Sequence, residues 1–262
     1  MKPLTQIRLV LSDLDESLLG PDHKVGARSR AAIAKLQAKG ITFAICTGRA
    51  PEATRAIADD LGVRYRICNN GASVHDGDRI LAQRVMPAQV TEALTRFFDE
   101  QGIPVYLMTP EGYFLTRRTP DTDEADRIRG VSPAILPPDR WALPAHKVMA
   151  WGGAPAYEEC VRLFGEQVHI IYHADYLEIA PFGVSKQWGG EQLAQHLGIP
   201  PEQIAAVGDA RNDIEMIKWA GWGAAMGNAD PLLKEVADIV LPGHEVDGTA
   251  DLFESILKAQ EE

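Results

Sequence analysis

The first part of the chain alternates short apolar runs with longer stretches whose apolar residues recur at helical spacing. Residues 7–11, interrupted by Arg8, read as a buried strand, and residues 41–46 and 65–68 as two more. Between them, residues 24–39 carry Ala31, Ile33, Ala34, Leu36 and Ala38 on a partly apolar face, and Gly40 stands where glycine often ends a helix. Residues 51–61 form a further helix, opened by Pro51 at a position where a missing N–H does no harm. This order predicts an α/β fold with a doubly wound, parallel-sheet core.

The texture changes after Asp76. Strands are expected at 79–86, 103–109, 113–116, 147–151, 169–173 and 177–180, the last two joined by a turn at Ala174-Asp175. Helices are expected at 88–101 and 157–164, while residues 117–141, rich in Pro, Asp and Arg, predict a long irregular loop. Strands bunched in this way predict an inserted α+β domain over 77–181, with the core formed by 1–76 and 182–262. From Val184 the first rhythm returns. A helix starts at Lys186, and its Gly189-Gly190 pair weakens it by about 1 kcal/mol per glycine. Strands follow at 204–207, 223–226 and 239–241, with helices at 214–220, from 231 and from 250.

Composition narrows the class. Of 262 residues, 45% are hydrophobic and 24% charged, which is ordinary for a globular protein. A formal net charge of -11 disfavours nucleic-acid and anionic-membrane partners, but a local cation can still admit an anionic substrate. No apolar stretch approaches the roughly 20 residues that span a bilayer. The N-terminus runs directly into the first strand, so no signal peptide and a cytoplasmic location are expected. Cys46, Cys68 and Cys160 lack metal-site spacing and read as buried free thiols. Nothing in the sequence separates a monomer from a homodimer.

Asp13 and Asp15 stand in alternate positions at the end of the first strand, on the edge where open α/β sheets place their ligands. Carboxylates this close repel and call for a cation or a raised pKa, and a hard ion such as Mg²⁺ fits them. Alone, the pair reads as readily as a strand entering an acidic turn. Three further stretches shift that balance. Thr47-Gly48-Arg49 follows the second strand, Lys186 begins a helix, and Asp209 with Asn212-Asp213 follows another strand. In one parallel sheet all of them share its C-terminal edge, and helix N-terminal amides there complete a phosphate-plus-Mg²⁺ composition.

With these residues in view, the chain resembles the haloacid dehalogenase (HAD) superfamily, in particular Cof-like phosphatases with a C2-type (class IIB) cap. The resemblance covers essentially the whole length. It rests on Asp13-x-Asp15, Thr47-Gly48-Arg49, Asn70-Gly71-Ala72, Gly183-Val184-Ser185-Lys186 and Gly208-Asp209-x-x-Asn212-Asp213. Ala220-Gly221, Ala225-Met226-Gly227-Asn228-Ala229 and Asp247-Gly248 extend it into the tail.

The resemblance implies a HAD-like Rossmannoid core with a substrate-reading cap, and a Mg²⁺-dependent phosphatase of small phosphorylated metabolites, sugar phosphates first. It implies Asp13 as the nucleophile that forms an aspartyl-phosphate, and Asp15 as general acid and then base. Thr47 and Lys186 would bind the phosphoryl group, together with Gly48, Arg49, Asn70 and Asn212. Mg²⁺ would be held by Asp13, the Asp15 carbonyl and Asp209, with Asp213 in or near its shell. Glu178, Arg117 and Arg118 would be cap contacts. Two alternatives stand beside this reading: a phosphomannomutase-like phosphotransferase, and a catalytically weak binding protein on the same fold.

The chain also departs from the family pattern. Gly-Thr usually follows the second aspartate, whereas here Glu16-Ser17 does. Ser17 keeps the hydroxyl, and Glu16 is expected to face solvent and change little, the other reading being that it repels anionic substrates. Gln187-Trp188 replaces the glycine often found after the lysine.

Overall fold

The computed structural model describes residues 4–261, which form two compact units. The first comprises residues up to Arg49, Arg55–Ala82 and Ser185 onward; the second is Gln83–Val184 together with Ala50–Thr54. β1 (Leu9–Ser12), α1 (Ala27–Ala38), β2 (Thr42–Cys46), α2 (Pro51–Leu61) and β3 (Tyr65–Cys68) follow the alternation of the sequence. The chain then doubles back through Asn69–Gly71 into β4 (Ser73–Asp76), antiparallel to β3, and β5 (Arg79–Gln83) completes that edge of the sheet. The expected boundary at 76/77 therefore falls inside a hairpin of the core sheet. The units divide at Ala82 and Ser185 instead.

The inserted unit contains α3 (Ala88–Glu100), β6 (Val105–Thr109), β7 (Gly112–Leu115), α4 (Pro120–Arg129), β8 (Ala134–Ile135), β9 (Lys147–Trp151), α5 (Tyr157–Phe164), β10 (His169–Tyr172) and β11 (Tyr176–Ala180). Its sheet has the order β10-β11-β9-β6-β7-β8, antiparallel except between β7 and β8. Strand alternation sorts its residues. Val105, Leu107, Val148, Ala150, Leu177 and Ile179 join Leu94, Phe98, Cys160 and Phe164 in one core. Tyr106, Met108, Tyr113, Leu115 and Met149 cluster on the other face.

α4 corrects the expected loop over 117–141. Thr119 caps it by accepting from the Thr122 N–H at 3.2 Å, Pro120 opens it, and Gly130 ends it in the left-handed region. The helix carries no apolar stripe for periodicity to find. Its inward residues are Thr122, Ala125 and Asp126, and the Tyr106 hydroxyl donates to the Thr122 carbonyl (3.2 Å) and to Asp126 Oδ1 (3.0 Å). Polar anchoring replaces the hydrophobic face.

The first unit resumes with α6 (Lys186–Leu197), β12 (Ile204–Gly208), α7 (Ile214–Trp219), β13 (Trp222–Ala225), α8 (Pro231–Val236), β14 (Ile239–Val240) and α9 (Thr249–Ala259). Its sheet order is β14-β13-β12-β1-β2-β3-β4-β5, and it is parallel from β14 to β3. β1 lies between β12 and β2, with Leu9 opposite both Ile204 and Thr42. The strand order reverses there, so the C-terminal end of β1 is the crevice where such sheets bind ligands. Central strands buried on both faces account for the unbroken apolar runs of β1 and β12. Cys46, Cys68 and Cys160 are free and buried. Among the described residues no helix is long and apolar enough to cross a membrane.

Candidate active site

Asp13 directly follows β1, and its N–H donates to the Val207 carbonyl of β12 at 3.0 Å, which pins it at the sheet's C-terminal edge. Lys186 Nζ donates to Asp13 Oδ1 at 2.6 Å and to Asp213 Oδ1 at 2.7 Å. Ser17 Oγ donates to Asp209 Oδ1 at 2.7 Å. Carboxylate oxygens of Asp13, Asp209 and Asp213 lie within 4.8 Å of one another, and all three residues are buried. Stretches far apart in the sequence thus meet on the predicted edge.

The position of Lys186 is set by close backbone packing. It opens α6, where Ser185 Oγ caps the first turn by accepting from the Trp188 N–H at 3.2 Å. The turn after β3 places Asn69, Asn70 and Gly71 successively in the left-handed region. A Cβ on Gly71 would stand 1.9 Å from the Ser185 carbonyl oxygen, so only glycine lets the two segments approach this closely. Gly189 is similar: a Cβ there would meet Ile67 Cγ2 at 2.4 Å. The glycine pair that weakens α6 as a helix lets it press against β3.

Burial pushes the Asp13 carboxyl well above the usual range, with Asp213 and Asp209 adding to the shift and Lys186 opposing it. Asp209 is raised as well, mainly by burial, against the hydrogen bond from Ser17. Burial also disfavours the Lys186 ammonium, but Asp13 and Asp213 outweigh it and hold its pKa above normal. Three carboxylates facing one ammonium leave a net charge of 1 − 3 = −2 when all are ionised. A divalent cation matches that deficit, and oxygen donors suit Mg²⁺. Asp213 has a further duty, since its Oδ2 accepts from the N–H groups of Asp209 (3.3 Å) and Ala210 (3.1 Å). Both of its oxygens are engaged, which makes it an anchor for Lys186 and for the turn after β12.

Asp15 lies beside this cluster, and Arg49 forks it: Nε donates to Oδ2 at 2.8 Å and Nη2 to Oδ1 at 2.5 Å. The structure thus brings Arg49, expected at the phosphate, to the second aspartate. Thr47 is buried and accepts from the Arg49 N–H at 3.2 Å, which keeps its own hydroxyl proton for another acceptor. Asn212 Nδ2 donates to Asn70 Oδ1 at 2.9 Å, and Gly48 packs against the same oxygen, which a Cβ would approach to 2.9 Å. Thr47, Gly48, Asn70 and Asn212 therefore share one corner. Glu16 is exposed, as expected, and adopts φ 56° and ψ 12°.

In the inserted unit the expected contacts separate. Arg117 pairs with Asp99, and Arg118 with Asp123 (2.9 Å) and Asp126 (3.1 Å), so both arginines are tied to α3 and α4. Glu178 pairs with Lys147 Nζ at 3.2 Å, both side chains buried. Lys147 was missing from the sequence-based set; its signal was a lysine opening an otherwise apolar strand. A cavity of about 780 Å³, bordered by Ile103, Pro104, Ile128 and Trp151, contains none of the motif residues.

A family model described as haloacid dehalogenase-like hydrolase matches residues 10–253. The HMP-PP phosphatase of Cronobacter sakazakii is 32% identical over 249 residues, covering 90% of each chain. A solved haloacid dehalogenase-like hydrolase from Bacteroides thetaiotaomicron matches with a TM-score of 0.86 at 24% identity, over 95% of this chain and 99% of that one. A solved HAD subclass IIB sugar phosphatase matches at 0.81 with 21% identity, over 94% of this chain and 98% of that one. At these identities the two structural likenesses are ones of fold.

Proposed function

The chain belongs to the haloacid dehalogenase-like hydrolase family, and on that premise we propose that it is a Mg²⁺-dependent phosphatase of small phosphorylated metabolites. The observation that carries this reading is Asp13, a buried carboxylate at the sheet's switch point, 2.6 Å from a buried lysine and grouped with Asp209 and Asp213. Asp13 attacks the phosphorus while the ester oxygen departs, giving an aspartyl-phosphate and a free alcohol. Asp15 donates the proton to the departing oxygen and then takes one from the water that cleaves the intermediate, restoring Asp13 and releasing phosphate. Arg49 orients the Asp15 carboxylate for both tasks. Lys186 balances charge on Asp13 and the phosphoryl oxygens, Thr47 donates to one of those oxygens, and Asn70 and Asn212 border them.

Asp13, the Asp15 carbonyl and Asp209 are the groups assigned to Mg²⁺, with Asp213 contributing charge and anchoring Lys186. Bound there, the ion would offset negative charge on the phosphoryl group. The buried Lys147–Glu178 pair lies on the sheet face that carries Tyr106, Met108, Tyr113 and Met149, and is our candidate for the leaving-group contact.

Sugar phosphates and HMP-PP are the first substrates to test, the second because of the Cronobacter relative. The experiment is free-phosphate release from these, from nucleotide monophosphates and from p-nitrophenyl phosphate, with and without Mg²⁺, alongside Asp13→Asn. Mg²⁺-dependent release that vanishes in the variant is expected. Release that persists in Asp13→Asn would remove the nucleophile assignment; transfer to an added sugar without free phosphate would make the protein a transferase.

A further inference from the structure

The turn between Asp15 and Ser17 has a residue with a side chain where the backbone is left-handed: Glu16 sits at φ 56°. That region is disfavoured for any residue bearing a Cβ, and glycine enters it freely. Something must hold Glu16 there. Asn228 Nδ2 donates to the Glu16 carbonyl at 2.8 Å, while Asn228 Oδ1 accepts from the His244 N–H at 3.1 Å. His244 Nδ1 in turn contacts the Leu19 carbonyl at 3.1 Å, and the Leu19 N–H closes the turn on the Leu14 carbonyl at 2.8 Å. The asparagine thus ties the turn after β1 to the segment that follows β14.

We propose that Asn228 is a positioning residue, which fixes the Glu16 carbonyl and thereby holds Asp15 and Ser17 in their working places. Both neighbours of Glu16 carry chemistry. Asp15 is the residue forked by Arg49, and Ser17 donates to Asp209. Rotation of the peptide out of the left-handed well turns the Glu16 carbonyl and displaces both side chains together. The Asn228 side chain bonds the Glu16 carbonyl and the His244 N–H, so it reaches Asp15 and Ser17 through this backbone. The inference rests on the phosphatase reading for its kinetic readout, but the structural coupling can be measured without it.

The test is a cycle of four proteins: the parent, Asn228→Ala, Glu16→Gly and the double variant. Each is assayed for kcat and KM on p-nitrophenyl phosphate with Mg²⁺, and melted without substrate. In the parent background Asn228→Ala should lower kcat by about tenfold with KM within about twofold, because positioning is lost rather than binding. In the Glu16→Gly background the same change should lower kcat by less than about twofold, since glycine needs no support at positive φ. Melting temperatures should show the same pattern, with Asn228→Ala lowering the parent by about 2–4 °C and the Glu16→Gly protein by less. Asn228→Asp keeps the acceptor for His244 but offers no donor to the Glu16 carbonyl, so it should behave like Asn228→Ala. Equal losses in both backgrounds, or full activity in Asn228→Asp, would overturn the proposal. Should the parent release no phosphate from any ester, the phosphatase reading fails, and the melting temperatures alone decide whether Asn228 supports residue 16.

Discussion

A buried lysine lies in each of the two units, and the two are held differently. Lys186 sits between Asp13 and Asp213 at 2.6 and 2.7 Å, with Asp209 in the same cluster. Lys147 pairs with Glu178 at 3.2 Å. The second sets one ammonium against one carboxylate. The first sets three carboxylates against one ammonium, and burial, with the neighbouring carboxylates adding to it, raises the carboxyl pKa values of Asp13 and Asp209. Burying unbalanced charge costs stability. A divalent cation would offset that charge, so on the proposed function the excess of carboxylates over ammonium is what distinguishes the Lys186 cluster from the Lys147–Glu178 pair.

The largest expected difference between the two lysines is in turnover. Lys186→Met should lower phosphate release by about a thousandfold or more, because the charge opposite the phosphoryl group is lost. Lys147→Met should lower it far less and act mainly on KM for the preferred substrate. Unfolding in denaturant gives a second contrast. Lys147→Met removes the buried ammonium 3.2 Å from Glu178 and should cost about 3–5 kcal/mol, whereas Lys147→Met with Glu178→Leu should recover most of that loss. If both single lysine variants abolished turnover to the same extent, the distinction drawn here would be lost.

A smaller effect separates two glycines in the same left-handed region. Gly71 has φ 100° and Gly130 has φ 64°. A Cβ on Gly130 meets nothing within 4 Å, whereas one on Gly71 meets the Ser185 carbonyl at 1.9 Å. Gly130→Ala, at the end of α4, should therefore cost about 1 kcal/mol, the backbone penalty alone. Gly71→Ala should cost about 2–4 kcal/mol by adding the displacement of α6, and should lower activity by moving Lys186. Denaturant unfolding and phosphate release measure both. Similar costs at the two sites would mean that α6 can shift freely and that Gly71 does not seat the lysine.

These contrasts also mark what the sequence could show. The core strands were legible because they are buried on both faces and read as unbroken apolar runs, as in β1 and β12. Asp13 and Asp209 were legible because a parallel sheet sends strand ends to one edge, and Lys186, at a helix start, joined them through the motif pattern and the family resemblance. α4 was missed because its contacts are a Tyr106 hydroxyl and the buried Asp126 rather than an apolar stripe. β4 was missed because the chain doubles back at Asn69–Gly71 through successive left-handed residues, and left-handed asparagines give no hydropathy signal. Lys147 was passed over because one lysine in a strand reads as an edge position; its partner lies on another strand, and pairing registers are not written in either one.

The smallest effect, and the one that most sharpens the comparison, is the response to metal and pH. Asp13 and Asp209 have folded pKa values above their unfolded values of about 3.9. Groups raised in this way bind protons more tightly when folded, so their contribution to stability is present below about pH 4 and is lost as pH rises through the raised folded values. A divalent cation should replace the lost protons. At about ten times its Kd, Mg²⁺ should add about 1.4 kcal/mol at neutral pH, and less as the pH falls and protons compete for the same oxygens. Asp209→Asn should abolish the gain, while Glu178→Gln should leave it intact, because Glu178 is not one of the carboxylates grouped at Asp13. Thermal melts with EDTA and with Mg²⁺, at pH 5 and pH 7, would read all of this. A gain independent of pH, or one retained in Asp209→Asn, would place the ion elsewhere and leave the surplus charge at Asp13 to be balanced by protons alone.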